Sequence, residues 1–132
     1  MDRVIKFRGK RVDDGQWIYG YLCFIYVDTN KARIYDPISV SSCDVLLETA
    51  GEYTGLEDKN GKEVYEGDVI EFQYRRLDGT YITVKSEVQY GAGQFGIMID
   101  GVGTLTDYMS LCDLIGEVGQ EFQVTGNKFI YA

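Results

Sequence analysis

The plainest signal along the chain is a period of two. Ile70, Phe72 and Tyr74 alternate with Glu71, Gln73 and Arg75, and apolar side chains at every second position mark a strand with one buried face. The same alternation predicts a first strand over Val4–Arg11, with Ile5 and Phe7 on one face and Lys6 and Arg8 on the other. It predicts another over 81–90, with Ile82, Val84, Val88 and Tyr90 facing in. Residues 16–27 differ. Trp17, Tyr19, Tyr21, Cys23 and Ile25 line one face and Ile18, Leu22, Phe24 and Tyr26 the other, so this strand is expected to be buried on both sides. Shorter strands are expected at 32–36, within 38–51, at 95–99 and at 113–118. A helical turn is expected within 104–111, capped by Thr106, and a last hairpin around Gly126-Asn127.

The punctuation between strands is turn chemistry. Asp14-Gly15, Asn60-Gly61 and Asp78-Gly79 are hairpin pairs. Asn60-Gly61 predicts a type I′ turn, which needs positive φ at both residues. Gly67 is expected at positive φ, with Asp68 accepting nearby backbone N–H groups. Gly9 marks a bulge or a close backbone approach. The fold class that follows is mostly β: a small antiparallel barrel or sandwich of SH3-like character, with many hairpins and at most one or two short helical turns. The 132 residues read as one domain, with an N-terminal β subregion (1–50) packed on a barrel-like region (51–132).

Glu52–Phe72 is the most patterned stretch. Tyr53-Thr54-Gly55-Leu56, followed by the run from Asp58 through Asn60-Gly61 and Glu66-Gly67-Asp68 to Ile70, closely resembles the signature of the YopX family of small phage- and prophage-encoded proteins. Ile5–Lys10 with Trp17–Tyr21 resembles the family's opening, and Leu114–Val118 its closing strand. The tail departs from the Asn-Pro-containing ending that the family usually has. The resemblance implies a mostly β fold and a phage or prophage setting. It carries no activity and no site residues.

Composition narrows the chemistry. There is no histidine, and the three cysteines, Cys23, Cys43 and Cys112, are far apart, so neither metal-ligand spacing nor a Cys–His nucleophile is present. The cysteines read as small buried hydrophobes in a reducing compartment. No apolar run approaches the roughly 20 residues of a membrane helix, and the charged N-terminus is unlike a signal peptide. The expected location is the cytoplasm of a bacterial host. The net charge of −8 is local: Asp36–Glu71 holds ten acidic residues against Lys59 and Lys62, whereas Arg3, Lys6, Arg8, Lys10 and Arg11 oppose only Asp2.

Three candidate sites follow. The first is a partner-binding surface on the central hairpin, formed by Tyr53, Asp58, Lys59, Tyr65, Glu66 and Asp68, with Gly55, Asn60, Gly61 and Gly67 building the turns. The second is a nucleic-acid strip on the first strand, Lys6, Arg8, Lys10 and Arg11, with Trp17 and Tyr19 beside it. Its plain structural alternative is an edge strand protected by charge, with Trp17, Tyr19 and Tyr21 in the core. The third is carboxylate chemistry by Glu63, Glu66 and Asp68, or a divalent-cation site from Asp58, Glu66 and Asp68. Solvated hairpin charge and a turn-capping Asp explain these acids more simply. The sequence therefore predicts a non-enzymatic module that binds a protein or itself and needs no cofactor or metal. Nucleic-acid binding is the alternative, and a carboxylate or metal-dependent enzyme the distant one.

Overall fold

The computed structural model describes residues 5–75, 78–91, 94–99, 107–111, 114, 119 and 121–127. It is mostly β, with every described strand pair antiparallel. The chain divides into two compact units, Met1–Gly55 and Leu56–Ala132.

Unit 1 contains β1 (Phe7–Lys10), β2 (Trp17–Tyr26), β3 (Lys31–Asp36), β4 (Ser41–Leu46), a 3-10 turn (Leu47–Thr49) and the start of β5 (Gly51–Glu57), hydrogen-bonded in the order β4-β3-β2-β1-β5. Ile18, Ala32, Ile34 and Val45 form its core, with Phe7 and Leu22 packed against them. Two glycines permit this packing. A Cβ on Gly20 would overlap the Tyr35 carbonyl, and one on Gly9 would sit 2.7 Å from the Val45 side chain. The expected close approach at Gly9 is therefore real. Buried Thr49 ties the end of β1 down: its Oγ1 accepts the Lys10 amide at 2.8 Å and donates to the Leu46 carbonyl at 2.7 Å. The end of β1 also reaches β4 through the Arg11↔Val45 bridge and a Val12 N–H to Asp44 carbonyl bond. Among the described residues no sheet closes on itself: the six-stranded sheet and both three-stranded ones keep open ends, so the barrel expected over 51–132 does not form.

Unit 2 contains β6 (Glu63–Tyr65), β7 (Asp68–Arg75), β8 (Tyr81–Glu87), β9 (Gln89–Gly91), β10 (Gln94–Ile99), β11 (Asp107–Ser110) and β12 (Phe122–Asn127). The last residues of β5 belong to this unit, and β6 is the neighbour of β5. The remaining strands form two sheets, β12-β7-β8 and β11-β10-β9. The alternation along β7 sends Ile70 and Phe72 into a core with Val64, Val84, Ile97 and Phe122.

Several expectations are corrected. β2 is not buried on both faces: Ile18 is inside, whereas Tyr19 and Tyr21 are exposed. Asn60 does not adopt positive φ; Gly61 does, at +80°. The Gly61 amide bonds to the Asp58 carbonyl and the Asp58 amide to the Lys62 carbonyl. This is a type I turn closed by a glycine bulge rather than a type I′ turn. Tyr90 is exposed, because the chain changes sheet at Val88, leaving β7 to pair with β10. Gly126-Asn127 is no turn. It lies within β12, where a register shift after Val124 brings Gly126 opposite Val69; an isolated glycine in a strand marks a bulge. Residues 107–110 are strand rather than helical turn, whereas Leu111 is helical as expected, and Leu114 is helical rather than extended. The rest of those two segments, with Thr106 and Cys112, lies outside the described residues.

Candidate functional site

The central hairpin is built around two buried carboxylates. Asp58 is 5% exposed. Its Oδ1 accepts the Asn60 and Lys62 amides at 2.8 and 2.9 Å, and its Oδ2 accepts the Val124 amide at 2.9 Å. The Lys59 amide donates to the Phe122 carbonyl at 3.0 Å, so the hairpin tip is fastened to β12. Burial pushes the Asp58 carboxyl up, but the amides of Val124, Lys62 and Asn60 together outweigh it and hold the group below the usual carboxylate range. Asp68 is fully buried and accepts the Tyr65 amide at 2.8 Å. Gly67 takes φ +93°, as the turn requires. Backbone bonds from Gly67 and Asp68 to Val88 lock this turn to the segment between β8 and β9.

The hairpin candidates thus separate. Asp58, Tyr65 and Asp68 are inside and hold the hairpin together, with the Tyr65 hydroxyl donating to Glu63 at 3.1 Å. Lys59 is exposed and Glu66 half-buried. Tyr53 belongs to unit 1, with the Lys6 ammonium 5.2 Å from its ring centroid. Gly55 sits within β5 at φ +88°. Asp58, Glu66 and Asp68 do not converge: among the described residues no three His, Cys, Asp or Glu side chains are grouped to hold a metal ion.

The first-strand candidates form a defined face on unit 1. β1 is not an edge strand; it pairs with β2 on one side and β5 on the other. Phe7 packs against the core and Gly9 against Val45, so Lys6, Arg8 and Lys10 occupy the opposite face. The register sets Arg8 beside Tyr19 and Lys10 beside Trp17. The Arg8 guanidinium lies 4.4 Å and the Lys10 ammonium 5.5 Å from the Trp17 ring centroid, within cation–π range. Arg8 is buried. Tyr19 and Tyr21 stand out, 44% and 55% exposed, and Tyr35 on β3 is opposite Tyr21. Arg11 does not join this row. It pairs with Asp13 at 3.0 Å and Asp14 at 3.5 Å. It lines an open cavity of about 450 Å³ in which Arg33 is likewise matched, to Asp44 at 2.8 Å.

The far end of the β2–β3 hairpin is a further exposed apolar feature, outside the three candidate sites. Phe24, Ile25 and Val27 are 49%, 52% and 82% exposed, and Cys23 beside them is exposed too. Its signal is present in the sequence. An unbroken apolar strand has apolar side chains on both faces, and past the irregularity between Leu22 and Phe24 both lie open, with Phe24 opposite Arg33 and Ile25 opposite Ala32.

No helix among the described residues is long and apolar enough to cross a membrane. A comparison with curated proteins finds no match. The family model for the YopX protein matches residues 6–131. That span takes in the aromatic and basic first strands, the Asp58 hairpin and β12, and the chain belongs to the YopX family.

Proposed function

We propose that this chain is a non-enzymatic binding module that contacts a protein partner, or a second copy of itself, through the apolar end of the β2–β3 hairpin. The observation that carries the reading is the exposure of Phe24, Ile25 and Val27 within four consecutive residues at the end of β2 and the start of its turn. Grouped exposed apolar side chains of this size mark contact surfaces. The hairpin is firmly based: the Tyr26 hydroxyl and Arg33 both bond to Asp44, so the surface is presented on a rigid support. Three of the candidate acids, Asp58, Glu63 and Asp68, are engaged with backbone amides or a tyrosine hydroxyl, which favours binding over turnover. The phage or prophage setting that the resemblance implies supports a location in the cytoplasm of a bacterial host.

A photo-crosslinking amino acid at position 27 tests the reading. The expected result is a discrete crosslinked species in host lysate or with the purified protein alone, and a marked loss of it when Phe24 and Ile25 are changed to Thr. Crosslinks of equal yield from position 27 and from an exposed site such as Lys59 would contradict it.

A further inference from the structure

The cation–aromatic face of β1 and β2 is distinct from the β2–β3 hairpin end and makes a different chemical offer. We propose that this face binds single-stranded nucleic acid, with bases stacking on Tyr19 and Tyr21 and phosphates tracking Lys6 and Lys10. Four observations converge. Tyr19 and Tyr21 are exposed rings two positions apart on one strand. Trp17, next in the same row, is held by Arg8 and Lys10, and this fixes one end of the platform. The Lys6 ammonium lies over the Tyr53 ring, which sets a cation across β1 from Tyr21. No acidic residue occurs in segments 6–10 or 17–21.

Charge distribution removes the apparent obstacle of an acidic protein. Of the 13 basic and 21 acidic residues, 7 and 8 fall in the first 55, so unit 1 carries −1; unit 2, with 6 and 13, carries −7. Polyanion repulsion is therefore concentrated in the other unit.

Spacing selects a single strand. Side chains two apart on a strand are separated by about 6.7 Å, roughly twice the 3.4 Å rise of stacked bases. Successive rings can each take a base only if the bases are pulled apart, which a duplex forbids. Rings that stack bases, beside cations that follow the backbone, are the shared device of proteins that bind single strands without sequence preference.

Fluorescence anisotropy of the full chain with labelled 15-mers of dT, rU and a DNA duplex tests this, at about 20 and 200 mM salt. The expected result is binding to dT or rU at low salt, at least about tenfold tighter than to the duplex. The ratio of rU to dT identifies which nucleic acid is preferred. Tyr19→Thr/Tyr21→Thr, whose rings are exposed and whose replacements keep strand propensity, should weaken single-strand binding by about tenfold or more. Lys6→Ala/Lys10→Ala should make the dependence of log K on log salt shallower by about 1.4, at roughly 0.7 per phosphate contact. No binding at 20 mM salt would overturn the proposal, and so would equal affinity for duplex and single strand. Displacement of dT by poly-glutamate of equal length and at equal concentration would also overturn it, and would assign the face to an acidic protein. Phe24→Thr/Ile25→Thr should leave oligonucleotide binding unchanged, which separates this face from the hairpin end.

Discussion

The Asp58 carboxylate accepts the Val124 amide at 2.9 Å across 66 residues of chain. The same carboxylate accepts the Asn60 and Lys62 amides, so one side chain shapes the hairpin and fastens it to β12. Asp58→Ala leaves three amides without their acceptor in a site only 5% exposed. The expected cost is about 3 kcal/mol, read from urea unfolding. A loss below about 1 kcal/mol would mean the carboxylate is not the joint.

The pH dependence has a definite sign. The Asp58 carboxyl is lowered when folded. Its contribution is therefore fully present above the unfolded value of about 3.9 and is lost as pH falls through the folded value. The stability gap between the wild type and Asp58→Asn should be constant from about pH 5 to 7 and narrow below about pH 4. A gap that widens on acidification would contradict the assignment.

The hairpin turn makes opposite predictions for adjacent residues. Gly61 has φ +80° and open space around its Cβ position, so Gly61→Ala should cost about 1–2 kcal/mol through backbone conformation alone. Asn60 does not adopt positive φ, and Asn60→Ala should stay within about 0.5 kcal/mol. Thermal melts of both variants check this; equal costs would restore the type I′ turn.

Gly20 is a steric requirement. Its Cβ would overlap the Tyr35 carbonyl, a backbone atom that cannot swing away, whereas at Gly9 the obstacle is the Val45 side chain. Gly20→Ala should cost at least about 3 kcal/mol and Gly9→Ala less, about 1–3 kcal/mol. Denaturant midpoints for the two variants give the order directly.

What the sequence revealed follows the range of each interaction. The alternation of Ile70 and Phe72 is local, and it predicted both the strand and its buried face. Gly67 and Asp68 lie within one turn and read correctly from residue type. The bond from Asp58 to Val124 was invisible because it depends on how distant strands align. β2 was misread because alternation on both faces says that both are apolar, not that both are covered. Edge protection, the plain structural alternative for the charge on β1, does not hold: β1 is paired on both sides and its cations lie on aromatic rings, which needs the distant register of β5. The hairpin at Asn60-Gly61 was found while its turn type was not, because Asp58 supplies acceptors that favour a type I geometry.

The central claim is that the β2–β3 hairpin end is a contact surface. It is tested most directly by size-exclusion chromatography with light scattering, on the wild type and on Phe24→Thr/Ile25→Thr/Val27→Thr. Each is run alone and after incubation with host lysate. The wild type should elute as an oligomer or with a captured protein, and the folded triple variant as a monomer that captures nothing. Identical profiles for the two proteins would contradict it.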